Sequence, residues 1–261
     1  MLDLLIKNGQ CYIDGELKNV DVSIKDGKIQ DIGQISEKAN DIFDANGLTV
    51  LPGCIDTQTH FREPGSTDTE DLNSGSRAAI AGGITAVFEM PNTNPPTSNI
   101  KEFKRKLDLA KNRMYCNYGF YFGATADNVN QLAKLKDLEG CCGIKLFAGS
   151  STGNLLVADE KDIDKVFQNS SKVVAVHSED EEILNKNKKL IKNGEVHSHP
   201  VWRSEEAAIS STRRIVRIAE RYNKKAHILH ISTKQEIDFL SQHKGNICLL
   251  YTSPSPRDDE L

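Results

Sequence analysis

From residue 52 onward the sequence alternates between short apolar segments and longer amphipathic segments. A short apolar run bounded by turn residues is typical of a buried strand, and a run with helical period is typical of a helix packed on one face. Strands are predicted at Cys54–Thr59, Ile84–Met90, Asn117–Gly123, Cys142–Phe147, Lys172–His177, Ala226–His230 and, with the weakest pattern, Asn246–Leu250. Helices are predicted at Asp68–Ala81, Ile100–Asn112, Asn128–Leu138, Asp159–Gln168, Glu179–Asn193, Ser204–Tyr222 and Thr233–Gln242. This alternation indicates an α/β fold with a TIM-like (β/α) barrel more than an open sheet.

The first 51 residues follow a different pattern. Short alternating runs are interrupted by Asn8-Gly9, Asp14-Gly15 and Asp26-Gly27, dipeptides that favour tight turns between antiparallel strands. We therefore predict three regions: a small N-terminal β-sandwich lobe at 1–51, a barrel at 52–250, and a polar, proline-bearing tail at 251–261.

Chain length limits how much of a barrel can form. A complete barrel takes about 250 residues, and this chain of 261 residues uses the first fifty or so for the lobe. No eighth strand is predicted. We expect a barrel that is incomplete at its C-terminal end, with a natural flexible tail as the alternative.

Composition excludes several classes of function. The formal net charge is -4 and basic residues are scattered among acidic ones, so a nucleic-acid partner is not expected. No apolar run approaches the ~20 residues of a membrane span, and no signal peptide is recognisable, so a cytoplasmic protein is expected. The six cysteines show no CxxC pair, and buried reduced thiols are predicted.

Polar residues stand at or near the ends of four different predicted strands, namely His60, Lys145, His177 and His230. Active residues of such barrels gather at the carboxyl ends of the strands. A divalent metal needs nitrogen and oxygen donors that converge from separate elements and leave a position open for water. The pattern predicts a metal-dependent hydrolase site.

Other interpretations stay open for single residues. His177 could cap the helix that follows it. Lys145 could extend into solvent at the rim, or it could be a buried amine with a lowered pKa that captures carbon dioxide as a carbamate. His227 and His230 are three residues apart, an odd spacing that should place them on opposite faces of a strand and makes His227 a packing residue. A second metal site at His197 and His199 is not favoured.

Six motifs resemble those of dihydroorotases of the amidohydrolase superfamily, which are cyclic amidohydrolases. The resemblance extends from Met1 to about Leu250, and the motifs occur in the family's order. They are HFREPG at His60–Gly65, EMPNTNPPT at Glu89–Thr97, GIKLFAGSSTGN at Gly143–Asn154, VAVHSED at Val174–Asp180, HPVWRSEEA at His199–Ala207 and HILHIST at His227–Thr233.

The resemblance implies the metal-dependent, reversible hydrolysis of dihydroorotate to N-carbamoyl-aspartate in pyrimidine (UMP) biosynthesis. It implies that His60 is the remaining metal ligand of the family's His-x-His pair, that His177 and His230 are the metal ligands further along the chain, and that Lys145 is carboxylated. Gln58 stands where the other His of the pair is found, and its amide is a weaker donor to zinc, so one zinc ion is expected and a second is in question.

The resemblance also implies that Arg62 and Asn92 hold the substrate carboxylate, and a guanidinium suits that role because it binds carboxylates bidentately. The alternatives are an ion pair of Arg62 with Glu63 or Glu70, and a turn role for Asn92. The family's proton-shuttling Asp of strand eight has no counterpart in this chain. We therefore expect the 261-residue chain to be inactive alone.

Two further functions remain as alternatives. Hydantoinase-like or allantoinase-like amidases resemble the chain in lobe, barrel and ligands, but generally lack an Arg at position 62. A non-catalytic homologue could serve as a structural partner of a carbamoyltransferase, which the loss of a ligand at Gln58 favours weakly. The full-length protein is expected to be a homo-oligomer.

Overall fold

The computed structural model describes residues 1–151, 153–243 and 245–251. Two compact units divide the chain, the first being Met1–Cys54 and the second beginning at Ile55. Residues 252–261 of the predicted tail lie outside the described residues. No helix among the described residues is long and apolar enough to cross a membrane.

The first unit is a five-stranded sheet. Its strands are β1 (Leu2–Ile13), β2 (Glu16–Lys25), β3 (Lys28–Gly33), β4 (Ala39–Asp44) and β5 (Thr49–Val50), with the order β3-β2-β1-β4 and β5 also paired with β1. The two hairpins turn at Asp14-Gly15 and Asp26-Gly27, where all four φ angles are positive, as such tight turns require. Within this unit the described residues form one sheet, so the predicted lobe is present but its second layer is not seen.

The second unit contains a curled sheet of seven strands in sequential order. The strands are β6 (Cys54–Thr59), β7 (Ile84–Glu89), β8 (Asn117–Gly123), β9 (Cys141–Phe147), β10 (Val174–His177), β11 (Ala226–Ile231) and β12 (Ile247–Tyr251). Neighbouring strands from β7 to β12 pair in parallel. The predicted α/β fold with a parallel sheet is confirmed as this half-barrel.

Helices follow the strands along the chain. They are α1 (Leu72–Ala81), α2 (Ile100–Ala110), α3 (Val129–Leu132), α4 (Glu160–Asn169), α5 (Glu181–Asn187), α6 (His199–Trp202), α7 (Glu205–Arg221) and α8 (Lys234–Leu240). Some begin later than predicted because a capping carboxylate fixes the first turn. Asp71 accepts a hydrogen bond from the Ser74 backbone N–H before α1, and Asp180 accepts two from backbone N–H groups before α5.

The two faces of the curled sheet pack differently. On β10, Val174 and Val176 join the large outer core that includes residues of α2, α4 and α7. Ala175, between them, joins a smaller inner cluster with Met90, Tyr121 and Leu229. This two-residue alternation defines an inner face, and side chains at the carboxyl ends of the strands on that face surround the candidate site.

The cysteines follow the prediction in part. Cys11, Cys116 and Cys141 are buried, whereas Cys54 and Cys248 are exposed. Their exposure reflects position, because Cys54 is the first residue of β6 and Cys248 lies on β12, the last strand in the described sheet order.

Candidate metal centre and active site

His60 lies one residue beyond the end of β6, close to three other candidate residues. The pKa of His60 is lowered to about 4, mainly by burial and also by the nearby charges of Arg62 and Lys145, while a hydrogen bond with the Asn92 side chain acts in the opposite direction. Arg62 has a φ of 62°, a left-handed conformation that turns the chain sharply after His60. The structure therefore brings His60, Arg62, Asn92 and Lys145 together.

Lys145 on β9 is buried in the sheet. Its side chain is 1% exposed, and its ammonium nitrogen lies 4.5 Å from the centre of the Phe147 ring. Burial holds the pKa of Lys145 well below its usual range. The interpretation of a lysine that reaches solvent at the rim is wrong, and a buried amine with a lowered pKa agrees with the structure.

His177 and His230, at the ends of β10 and β11, contact each other directly. His177 Nδ1 lies 2.9 Å from His230 Nε2, and the ring centres are 4.7 Å apart. The pKa of His230 is lowered to about 3, mainly by burial and also by the nearby His177 and Lys145. Burial also lowers the pKa of His177. Both rings are therefore neutral near pH 7, the state in which imidazole can donate a lone pair to a metal.

The prediction that His227 and His230 face opposite sides of β11 is wrong. Regular alternation places His227 on the same face as Leu229 of the inner cluster. The pKa of His227 is lowered, mainly by burial and also by the charge of Lys145, so the two side chains lie close together. His230 nevertheless reaches His177 on the same face. The reason is its left-handed φ of 42° and the register irregularity between Ile228 and Ile231, which break the alternation at the strand end.

His227 adds a donor that sequence reasoning set aside. Its Nε2 atom is buried and makes no hydrogen bond within the described part of the chain. In the sheet register Lys145 is level with Ala175, and Ala175 is level with His227. The two-residue alternation of a strand predicts an inward-facing His227 beside an inward-facing His230 only if the kink at His230 is known.

A cavity of about 840 Å³ opens beside His177 and His230. Its volume falls in the range of ~300–1,000 Å³ usual for small-molecule sites. Glu179 and Arg203 also line the cavity, and sequence reasoning assigned neither of them. Both lie within quoted motifs, but only the fold brings them together.

The donor set of the candidate residues decides whether a metal ion fits the site. Among the described residues, no group of three or more His, Cys, Asp and Glu side chains is arranged to hold a metal. The donor chemistry nevertheless fits one, because three imidazoles with lowered pKa values surround a buried amine that can become a carbamate. Gln58 is half-buried on β6 two residues before His60, and its part in a second metal site stays a prediction.

The lowered imidazole pKa values predict acid sensitivity. Between pH 6.5 and about 4 the unfolded chain binds protons that the folded His60, His177 and His230 do not, so the free energy of unfolding should fall as pH falls. Each such proton contributes a slope of ~1.4 kcal/mol per pH unit. Urea unfolding at about pH 7.5 and about pH 5 measures the loss. His230→Gln should flatten the dependence, the exposed His197→Gln should not, and identical profiles would contradict the assignment.

The chain is similar to proteins of one enzyme family. The model of the amidohydrolase family matches residues 49–254. A dihydroorotase of Methanosarcina mazei is 33% identical over 251 residues, which cover 94% of this chain and 54% of that protein. An allantoinase of Escherichia coli O1:K1 / APEC is 32% identical over 248 residues, which cover 90% of this chain and 54% of that protein.

Solved structures give the same fold. The L-hydantoinase (dihydropyrimidinase) from Arthrobacter aurescens superimposes with a TM-score of 0.86 at 24% identity, over 93% of this chain and 56% of that one. The chain spans about half the length of the relatives it matches.

Proposed function

Because the chain belongs to the amidohydrolase family, we propose that it carries the metal-binding and substrate-binding residues of a dihydroorotase. The reaction is the reversible hydrolysis of the cyclic amide of dihydroorotate to N-carbamoyl-aspartate, a step of pyrimidine biosynthesis. The observation that carries the proposal is that Arg62 has no ion-pair partner among the described residues.

Arg62 is a cation without an ion-pair partner in the described part of the chain, although it lies beside His60. The nearest carboxylate in sequence, Glu63, is engaged elsewhere: it pairs with Arg113 at 2.7 Å and accepts a hydrogen bond from the Leu72 backbone. The predicted alternative of an Arg62–Glu63 pair is therefore wrong. A half-buried guanidinium left available near the candidate metal ligands suits a substrate carboxylate, which it can bind bidentately.

Asn92 supports the same assignment. It follows the end of β7, and its side chain hydrogen bonds to His60, so it lies where the ends of β6 and β7 meet. An amide next to a guanidinium adds a neutral donor to a carboxylate site. We propose that Arg62 and Asn92 bind the substrate carboxylate and orient the ring.

His60, His177, His230 and Lys145 would hold the metal ion, with zinc as the proposed metal. When bound, such an ion polarises an amide carbonyl and lowers the pKa of a coordinated water. In a neutral state, the Lys145 amine can form a bond to the carbon of carbon dioxide and release one proton, which turns it into an oxygen donor. Gln58 is a weaker donor than an imidazole, so we propose one well-bound ion.

A second candidate is an allantoinase-like amidase. The match to the allantoinase is almost as long and almost as similar as the match to the dihydroorotase. Allantoin and hydantoin have no ring carboxylate, so this candidate leaves Arg62 without a ligand. A non-catalytic structural homologue is the third alternative, and it gives no reason for a lowered pKa at Lys145 and at three imidazoles together.

Ligand preference tests the proposal. The purified chain, first loaded with zinc, is titrated calorimetrically with dihydroorotate, N-carbamoyl-aspartate, allantoin and hydantoin. We expect the two carboxylate ligands to bind at least about tenfold tighter, which is ~1.4 kcal/mol. Equal or tighter binding of allantoin or hydantoin would favour the second candidate. Absence of zinc binding would favour the third.

A further inference from the structure

Glu179 connects His177 to a cation that the proposed reaction does not use. Its Oε2 atom lies 2.7 Å from His177 Nε2, and the same oxygen pairs with the Arg203 guanidinium. Arg203 also donates a hydrogen bond from Nη2 to the backbone carbonyl of Ser150 at 2.8 Å. The side chains of His177, Glu179 and Arg203 are between 13% and 20% exposed, so the chain of contacts is mostly buried at the wall of the cavity.

We infer that Glu179 is a positioning residue for His177, and that Arg203 holds the Glu179 carboxylate in place. The inference rests on the proposed function, because it takes His177 as a metal ligand. Outer carboxylates of this kind orient a ligating imidazole and fix which ring nitrogen carries the proton.

The contacts determine the tautomer of His177. A carboxylate paired with a guanidinium only accepts hydrogen bonds, so Nε2 of His177 must carry the proton in that contact. In the neutral ring the lone pair is then on Nδ1, the atom that faces His230 Nε2 at 2.9 Å. Glu179 therefore directs the metal-binding nitrogen toward the other candidate ligand and prevents the ring from turning over.

Arg203 gives this contact its rigidity. It lies between α6 and α7, while Ser150 follows β9 and Glu179 follows β10, so one guanidinium joins three segments of the chain. Its guanidinium carbon also stacks 4.5 Å from the centre of the Trp202 ring. A planar, pre-organised fork that makes both contacts loses less conformational entropy than a flexible ammonium would.

The test replaces Glu179 by glutamine and measures zinc binding and the ring of His177. An amide can donate as well as accept, so Glu179→Gln no longer dictates the tautomer. We expect ~10–100-fold weaker zinc affinity in competition with a chromophoric chelator. In the metal-free protein, the ¹⁵N shifts of His177 should change from one tautomer to a mixture.

Glu181→Gln is the matched control. This substitution removes the same charge two residues away. Glu181 accepts hydrogen bonds from the Ser150 backbone and hydroxyl at 2.6–2.7 Å and from the Asn185 side chain, and among the described residues it makes no hydrogen bond to His177. It should keep zinc affinity within about threefold and leave the ¹⁵N shifts of His177 unchanged.

The outcomes separate the two proposals. Wild-type protein that binds no zinc would overturn the proposed function, whatever Glu179 does. If the wild type binds zinc, and Glu179→Gln has the same zinc affinity and the same ¹⁵N shifts of His177, only the positioning role would be overturned. Should circular dichroism show that Glu179→Gln is unfolded, Arg203→Lys provides the same two readouts, because it keeps the charge but loses the fork. Unchanged values in that variant would also overturn the role.

Discussion

Replacing Lys106 by methionine should lower the free energy of unfolding by about 3–5 kcal/mol, the usual effect of removing one partner of a buried ion pair. Lys106 on α2 is 0% exposed and pairs with Glu89, at the end of β7, which is 1% exposed. Methionine fills a similar volume but leaves the carboxyl group of Glu89 buried without its cation. Urea unfolding with a common slope measures the difference.

The pair also supports the candidate site. Lys106 donates a hydrogen bond to the backbone carbonyl of Met90 at 2.9 Å, and the Glu89 carboxylate accepts one from the Phe61 backbone N–H. Phe61 lies between His60 and Arg62, so the pair fixes the chain on both strands that present the site. Burial raises the pKa of Glu89 to about 7 even with Lys106 nearby. Lys106→Met should therefore weaken zinc binding as well as stability.

The double variant Glu89→Gln/Lys106→Met is the control for this prediction. It removes both charges, and replacing a whole buried pair by neutral groups is often close to neutral in stability. We expect it to recover most of the lost free energy. A single variant within about 1 kcal/mol of wild type would show that the two buried charges contribute little to the fold.

The fold could be predicted to the extent that its pattern is local. The bounds of β6 and β8 agree with the predicted strands, because Pro52-Gly53 marks the start of β6 and the aromatic run of β8 ends at Gly123. The predicted helix Asn128–Leu138 is instead α3 followed by a 3₁₀ turn at Ala133–Asp137. Leu132 and Leu135, three residues apart, are both buried, and a three-residue period aligns them on one side.

The site could be predicted where each residue follows a strand, and not where its role depends on a distant partner. The position at or near the end of a predicted strand marks His60, His177 and His230 as candidates. Lys106 stands among charged residues in the sequence KEFKRKL, so its pairing with Glu89, 17 residues away, gives no local signal. Arg203 and Glu179, 24 residues apart, meet only because the segment before α7 returns to the end of β10.

Replacing Arg62 by methionine should weaken dihydroorotate binding to the zinc-loaded protein by ~10–100-fold. The estimate follows from ~1.5–3 kcal/mol for a hydrogen bond to a charged group. Methionine keeps the unbranched stem and removes only the guanidinium. Arginine and methionine must both adopt the φ of 62° seen at position 62, so backbone strain is similar in the wild type and in Arg62→Met. Calorimetric titration measures the dissociation constants.

A ligand without the charge separates carboxylate recognition from a general loss of the site. The methyl ester of dihydroorotate cannot accept the bidentate contact, so its affinity should change by less than about threefold between wild type and Arg62→Met. The exposed Arg77→Met, which removes the same charge from α1, should bind both ligands like wild type. If Arg62→Met weakened acid and ester equally, Arg62 would support the fold of the turn instead of binding the carboxylate. Substrate choice would then have to reside in the cavity beside His177 and His230, and the allantoinase-like alternative would become the better proposal.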